Sequence, residues 1–293
     1  MAKDVLIGTI SGYELGTIQY WLNSLDACGF AGDKVVLACN ADRRVVEGLR
    51  SRLYEVVTYA TDPATGNAYY PAESFQDEDA SAERFYLMWQ YLAARRREDY
   101  RYVVSVDVRD AVFQSDPSKW LEDNLGDKEL NVSSEAVRYD DEEWNRASVI
   151  DNFGRTLHER MRSHVIWNAG VIAGAAPVFR DLCLNVHLLC RASRLPYSDQ
   201  AALNIILSME PYRRLTRFNA SEDGWACHGG AFGDPVLTGK LLEPAPTFDG
   251  AHVYTSSGKK YCVVHQYDRV PAWREALQKK YAGAGSATTP PPR

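Results

Sequence analysis

The chain has 293 residues and a mass of 32.9 kDa, 45% of it hydrophobic and 25% charged, which suits one α/β domain with insertions or one domain plus a small lobe. Its 33 basic and 39 acidic residues leave a net charge of −6, which excludes general affinity for nucleic acid. No apolar run approaches the roughly 20 residues of a membrane span.

Met1-Ala2-Lys3-Asp4 leads directly into a strand-like run, without the apolar region and cleavage site of a secretory signal. Asp4 to Ile10 reads as a buried strand ended by Ser11-Gly12, followed by Leu15, Ile18, Leu22 and Leu25 at helical spacing. Val35 to Cys39 is a second strand, Val45, Val46 and Leu49 mark a short helix, and Tyr54 to Tyr59 is a third strand. A β-α-β-α-β start implies a parallel sheet with helices on its faces. From Asp62 to Asp79 the pattern dissolves into a long polar loop of the kind that closes over ligands. Phe85, Met88, Trp89 and Leu92 restore a helix, ended by Arg95-Arg96-Arg97, a solvated terminus favoured by the helix dipole.

Tyr102 to Val106 is a fourth buried strand running straight into Asp107-Val108-Arg109-Asp110. Helices are expected over Pro117 to Leu125, Pro177 to Ala192 and Asp199 to Met209, the last with Asp199 at or near its N-cap. Leu130 to Ser133 and Gly170 to Gly174 read as strands, and Val253-Tyr254 is set to pair with Tyr261 to Val264 across Ser256-Ser257-Gly258. The six cysteines form no CxxC, and Cys183 and Cys190 lie roughly 10 Å apart along one helix, too far to bridge. Scattered thiols without a signal fit a reducing cytoplasm. The expected organisation is one domain over 1–282 and a disordered Gly/Ala/Ser/Thr/Pro tail over 283–293.

Several motifs fail. Gly258-Lys259-Lys260 lacks the first glycine and the final Ser or Thr of a phosphate loop. His158-Glu159 has no second histidine for a zinc-protease helix, and Gly229-Gly230-Ala231-Phe232-Gly233 follows no predicted strand.

What survives is the pair Asp107 and Asp110 at the carboxyl end of a buried strand, where open α/β sheets bind ligands. Two carboxylates there repel unless a cation lies between them. A hard divalent ion bound partly by substrate phosphates would supply it, and Arg109 could instead; the other reading is a strand end whose acids cap the next turn.

The run Val103 to Pro117, with Asp107-Val108-Arg109-Asp110 and Phe113-Gln114, resembles the metal-binding "DxD" segment of GT-A fold glycosyltransferases, in the "DVRDxxFQ" variant of bacterial polysaccharide-type enzymes. Trp167-Asn168-Ala169-Gly170 resembles their "NxG" segment. Asp199-Gln200-Ala201-Ala202-Leu203-Asn204 resembles a "DQxxLN" helix start, and Val264-His265-Gln266-Tyr267 the histidine that completes the metal site. The resemblance implies an α/β GT-A fold, a Rossmann-like, mostly parallel mixed sheet with helices on both faces. It implies a Leloir-type transferase that moves a sugar from a UDP- or GDP-sugar to a glycan or other hydroxyl acceptor. It further implies Mn2+ or Mg2+ at Asp107, Asp110 and His265, and a cytoplasmic place in polysaccharide biosynthesis, with room for peripheral attachment at the inner membrane face. Arg109 displaces the second acid by one position, so which aspartate touches the metal stays open. Donor contacts fall to Thr9, Ser11, Arg84, Asp107 and Gly170, and the reacting sugar to Asn168, Asp199 and Gln200. Trp225 and His228, in the irregular stretch Ser221 to Asp234, are either an acceptor-sugar platform or core. The motif set looks like that of retaining enzymes; inversion would call on Asp199 or Glu222 as base. The rival readings are a phosphohydrolase with an Asp nucleophile, for which Arg109 is misplaced, and a non-catalytic sugar-nucleotide or glycan-binding module.

Overall fold

A computed structural model describes residues 2–71 and 80–283. It opens with β1 (Lys3–Ile10), α1 (Leu15–Ala27), β2 (Asp33–Ala38), α2 (Arg43–Ser51) and β3 (Glu55–Thr58), and β1–β2 and β2–β3 pair in parallel. Alternate residues of β1 leave by opposite faces: Leu6 and Ile10 pack with Ile18, Leu22 and Leu25 of α1, Val5 and Ile7 with Phe85 and Met88 across the sheet. Burial on both faces is why these strands read as unbroken apolar runs. Each such side chain taken out of water contributes about 1.5–3 kcal/mol. β4 (Ala60–Thr61), just before the expected polar loop, and β5 (Ala68–Tyr69), inside it, form a small hairpin. The rest of that loop, 72–79, lies outside the described residues, as does 284–293 of the expected tail.

Next come α3 (Ala80–Ala93), β6 (Tyr100–Val106), β7 (Ala111–Phe113), α4 (Pro117–Asn124) and β8 (Leu130–Arg138). Arg95 and Arg96, just after α3, are paired with Glu55 and Asp99, so two of the three charges in the basic run are locally neutralised. The chain continues through α5 (Glu143–Phe153), α6 (Arg155–Met161), β9 (Val165–Trp167), β10 (Val171–Ala175), α7 (Ala176–Arg191), α8 (Asp199–Leu207), α9 (Tyr212–Leu215) and β11 (Thr216–Asn219). The main sheet runs β11-β8-β10-β6-β1-β2-β3, with β9 on β8. It is parallel from β6 through β3, and β10 runs antiparallel between β6 and β8. Helices cover both faces, α1 and α2 on one, α3, α7 and α8 on the other.

The last segment holds β12 (Ala226–His228), α10 (Gly229–Gly233), β13 (Thr247–Phe248), β14 (Val253–Tyr254), β15 (Val263–His265) and α11 (Pro271–Tyr281). The hairpin expected across Ser256-Ser257-Gly258 is reduced to one bridge, Tyr254 to Lys260. β14 pairs instead with β13, and β15 enters a second sheet, β12-β15-β7. That sheet buries Val263 and Val264 completely, which a two-stranded hairpin could not do. All six cysteines are free thiols, and Cys28 alone of them is more than slightly exposed. Among the described residues no helix is long and apolar enough to cross a membrane.

Candidate active site

The second sheet carries the site. β7 begins one residue after Asp110 and lies antiparallel to β15 with Ala111 opposite His265. That register sets His265 beside the acids that leave β6. Its Nε2 is 3.5 Å from Oδ2 of Asp107 and 3.5 Å from Oδ1 of Asp110. One ligand atom from each residue falls within 4.8 Å of the others. Burial opposes a charge on His265, but Asp110 and Asp107 outweigh it and lift its pKa to about 10. Burial likewise opposes ionisation of both acids. Arg84 and His265 hold Asp107 below the usual carboxylate range, and His265 and Arg109 hold Asp110 there.

The third wall is backbone. The Asp107 amide donates to the Gly170 carbonyl at 2.8 Å, extending the β6–β10 ladder beyond β10. A Cβ on Gly170 would lie 2.5 Å from Cε1 of His265 and 2.7 Å from Oδ2 of Asp107, so only glycine permits the approach.

Arg84, on α3, reaches in from the opposite face. It pairs with Asp107, with Asp199 at 2.8 Å, and donates to the Ala169 carbonyl at 3.0 Å. Asp199 is the first residue of α8, and Ser198 takes the cap position without a side-chain hydrogen bond. The aspartate therefore serves Arg84 and does not cap its helix. Gln200 accepts from the Ala169 amide at 3.0 Å, and Asn168 from the Gly170 amide at 2.7 Å. Both also donate to Oε1 of Glu135 on β8, Asn168 at 2.7 Å and Gln200 at 3.1 Å.

Two cavities meet at this centre. One, of about 270 Å³, is lined by Thr9, Ser11, Tyr13, Arg109 and Asp110. The other, of about 770 Å³, is lined by Glu135, Trp144, Asn168, Gly170, Asp199, Gln200 and His265. They share Ser81, Arg84 and Asp107. Thr9 and Ser11 thus stand in the smaller cavity, and Asn168, Gly170, Asp199 and Gln200 in the larger.

Three expected residues lie elsewhere. Trp225 is wholly buried, its ring 4.8 Å from that of Trp120, and lines neither cavity, so it is core and offers no face to an acceptor. His228 is also wholly buried; its Nδ1 is 3.0 Å from Nδ1 of His265 and its Nε2 2.6 Å from the Ser133 hydroxyl. It backs the histidine of the triad and does not face a ligand. Glu222 accepts from the Ser256 and Ser257 amides, also outside both cavities. Glu135 and Trp144 are cavity residues that the sequence reading passes over. No sequence pattern marks Glu135, which lies in Val132-Ser133-Ser134-Glu135-Ala136-Val137, beyond the strand expected over Leu130 to Ser133.

No family model and no curated protein matches the chain. Among solved structures it is similar to the apo structure of WbbM, a bifunctional glycosyltransferase, with a TM-score of 0.60 and 14% sequence identity. The match covers 96% of this chain and 50% of the other, so the chain spans about half the length of the structure it resembles. The fold is the GT-A, Rossmann-like α/β class expected from the sequence: a mixed, mostly parallel sheet with helices on both faces.

Proposed function

We propose that the protein is a Leloir-type glycosyltransferase. It moves a sugar from a nucleoside diphosphate, UDP- or GDP-linked, to a hydroxyl of a glycan acceptor. The observation that carries this reading is the Asp107–Asp110–His265 triad standing where the two cavities join. The smaller cavity, with the hydroxyls of Thr9 and Ser11 at the end of β1, suits a nucleoside. The larger has room for a donor sugar and an acceptor together.

The triad fits a divalent ion, Mn2+ or Mg2+. Ligands bonded at about 2.1 Å to one octahedral ion lie roughly 3–4 Å apart, and 3.5 Å separates His265 Nε2 from each carboxylate. When bound, such an ion supplies a Lewis acid for the charge that gathers on a diphosphate leaving group. Arg84 and Arg109 add fixed positive charge on two sides of the same point. Asn168, Asp199 and Gln200 line the sugar side. A phosphohydrolase would need a second acid where Arg109 stands. A binding module would need the cavities without the triad.

The test is a panel of UDP- and GDP-sugars, read by release of nucleoside diphosphate with Mn2+, with Mg2+ and with excess EDTA. Metal-dependent release from at least one donor is expected. Release that EDTA leaves unchanged would remove the metal, and no binding or release with any donor would remove the reading.

A further inference from the structure

We propose that Glu135 is the general base of this reaction, taking the proton of the acceptor hydroxyl as its oxygen attacks the anomeric carbon of the donor sugar. The proposal rests on the glycosyltransferase reading above and adds to it the residue and the stereochemistry.

The first support is backbone geometry. β8 faces β9 at Ser134–Trp167 and again at Arg138–Val165, with the register broken between. Four steps along β8 therefore answer two along β9. Inside the break Ala136 has φ of 60°, a left-handed conformation that a side chain disfavours, and its amide donates to the Ser134 hydroxyl oxygen at 2.7 Å. Bulges beside active sites re-aim side chains, and such strain persists only where the surroundings enforce it. The side chain at this bulge is Glu135, in the wall of the larger cavity.

The second support is the company it keeps. Asp107 and Asp199 share Arg84. Glu142 caps α5 through the Trp144 and Asn145 amides, and Asp234 accepts from the Val236 amide. Among the described residues of that cavity, Glu135 is the carboxylate with neither a cation nor a backbone amide on it. Its two partners, Asn168 and Gln200, both fall on Oε1, and Oε2 has no hydrogen-bond partner among the described residues. Burial raises its affinity for a proton against those two amides, Glu142 adding to the rise and His265 opposing it. A carboxylate left basic is what proton abstraction from a hydroxyl needs.

Asn168 and Gln200 then become positioning residues. The Gln200 amide nitrogen is occupied by Glu135 and by Asn145 at 2.8 Å. In the step itself the acceptor oxygen bonds to the anomeric carbon. The bond from that carbon to the diphosphate oxygen breaks, its electron pair leaving with the diphosphate, and the hydroxyl proton passes to Glu135. One displacement inverts the configuration, in place of the retention that the motif resemblance implies.

The test uses water as acceptor and the panel of UDP- and GDP-hexoses with Mn2+. Glu135→Gln keeps the size of the side chain and an oxygen for both amides. Its donor hydrolysis should fall by about 100-fold or more, while affinity for UDP or GDP with Mn2+ stays within about twofold of wild type. Wild type alone supplies the second arm, which needs no variant: proton NMR of freshly released sugar should show the anomer opposite to the donor's. Hydrolysis unchanged in Glu135→Gln, or released sugar with the donor's configuration, would overturn the base and leave the glycosyltransferase reading standing. A wild type that turns over no donor and binds neither nucleotide would overturn both.

Discussion

His228 stands directly behind His265, with the two Nδ1 atoms 3.0 Å apart and the rings near perpendicular at 89°. Parallel pairing of β12 with β15 puts them side by side. If Nε2 of His265 is a ligand, its Nδ1 carries the proton and donates to His228. The proton of His228 then sits on Nε2 and donates to Ser133. Burial and the neighbouring His265 push the pKa of His228 far down, which keeps it neutral as that arrangement requires. Such outer partners fix the tautomer and basicity of a ligand.

His228→Leu should therefore weaken Mn2+ binding, measured by titration with UDP or GDP present, by about 10- to 100-fold. His228→Asn, whose side-chain oxygen can stand near the Nδ1 position and accept, should recover much of it. Equal affinities for the two variants would deny His228 this role.

Gly170→Ala tests the backbone wall. Its Cβ would press on both His265 and Asp107, two members of the triad that cannot retreat without separating. Mn2+ affinity and donor turnover should both drop at least tenfold, the scale of disturbing a ligand shell. A crystal structure of the variant should show His265 displaced. Unaltered Mn2+ affinity would mean that the triad yields freely.

Arg84→Met leaves Asp107 and Asp199 facing each other across a site with no cation from α3. Removing one partner of a buried pair costs about 3–5 kcal/mol, and partial exposure of Asp107 argues for the lower end. Urea unfolding should record that loss, and adding Asp199→Asn should recover part of it. A loss below about 1 kcal/mol would place this network in the class of surface pairs.

Far from the site, Asp4 should contribute to the acid limb of stability. Burial disfavours its charge, but hydrogen bonds from Arg101 and the Tyr102 amide, with the positive charge of Arg101, win and lower its pKa. A carboxylate depressed in the folded state stabilises fully above the unfolded value of about 3.9. That stabilisation fades as pH falls through the lower folded value. Asp4→Asn should be less stable than wild type at pH 6, and the gap should narrow between about pH 4 and 2. A gap that stays constant across this range would mean that the charge of Asp4 is not what stabilises.

The first half of the fold was legible because parallel strands buried on both faces leave continuous apolar runs, as in Val35 to Cys39 and Tyr102 to Val106. The second half, which mixes parallel and antiparallel pairs, leaves weaker marks. Tyr261 to Val264 looks like half of a hairpin with Val253-Tyr254, and only the register of Val264 against Val112 and Cys227 shows that it belongs to another sheet. The triad could be picked out by motif order before any geometry was known. Glu135 could not, because a bulge has no sequence pattern: the strand expected over Leu130 to Ser133 stops short of it, and nothing in Ser134-Glu135-Ala136-Val137 announces the positive φ of Ala136. Trp225 and His228 failed as acceptor residues for a related reason. An irregular sequence says nothing about whether an aromatic ring faces solvent or the underside of a sheet.

The buried cysteines give the molecule a built-in gauge of its own opening. Desolvation lifts the Cys190 thiol to about 12 and drives those of Cys183, Cys227 and Cys262 well above their ordinary value, while partly exposed Cys28 is raised to about 11. Only the thiolate attacks an alkylating reagent, so in the folded chain these four buried sulfurs are both hidden and chemically quiet. Cys183 and Cys190 lie on α7, Cys227 on β12, and Cys262 just before β15. The order in which they become labelled would therefore tell whether the strand pair that carries His228 and His265 loosens before the helix layer does, a clock for local unfolding read at single residues.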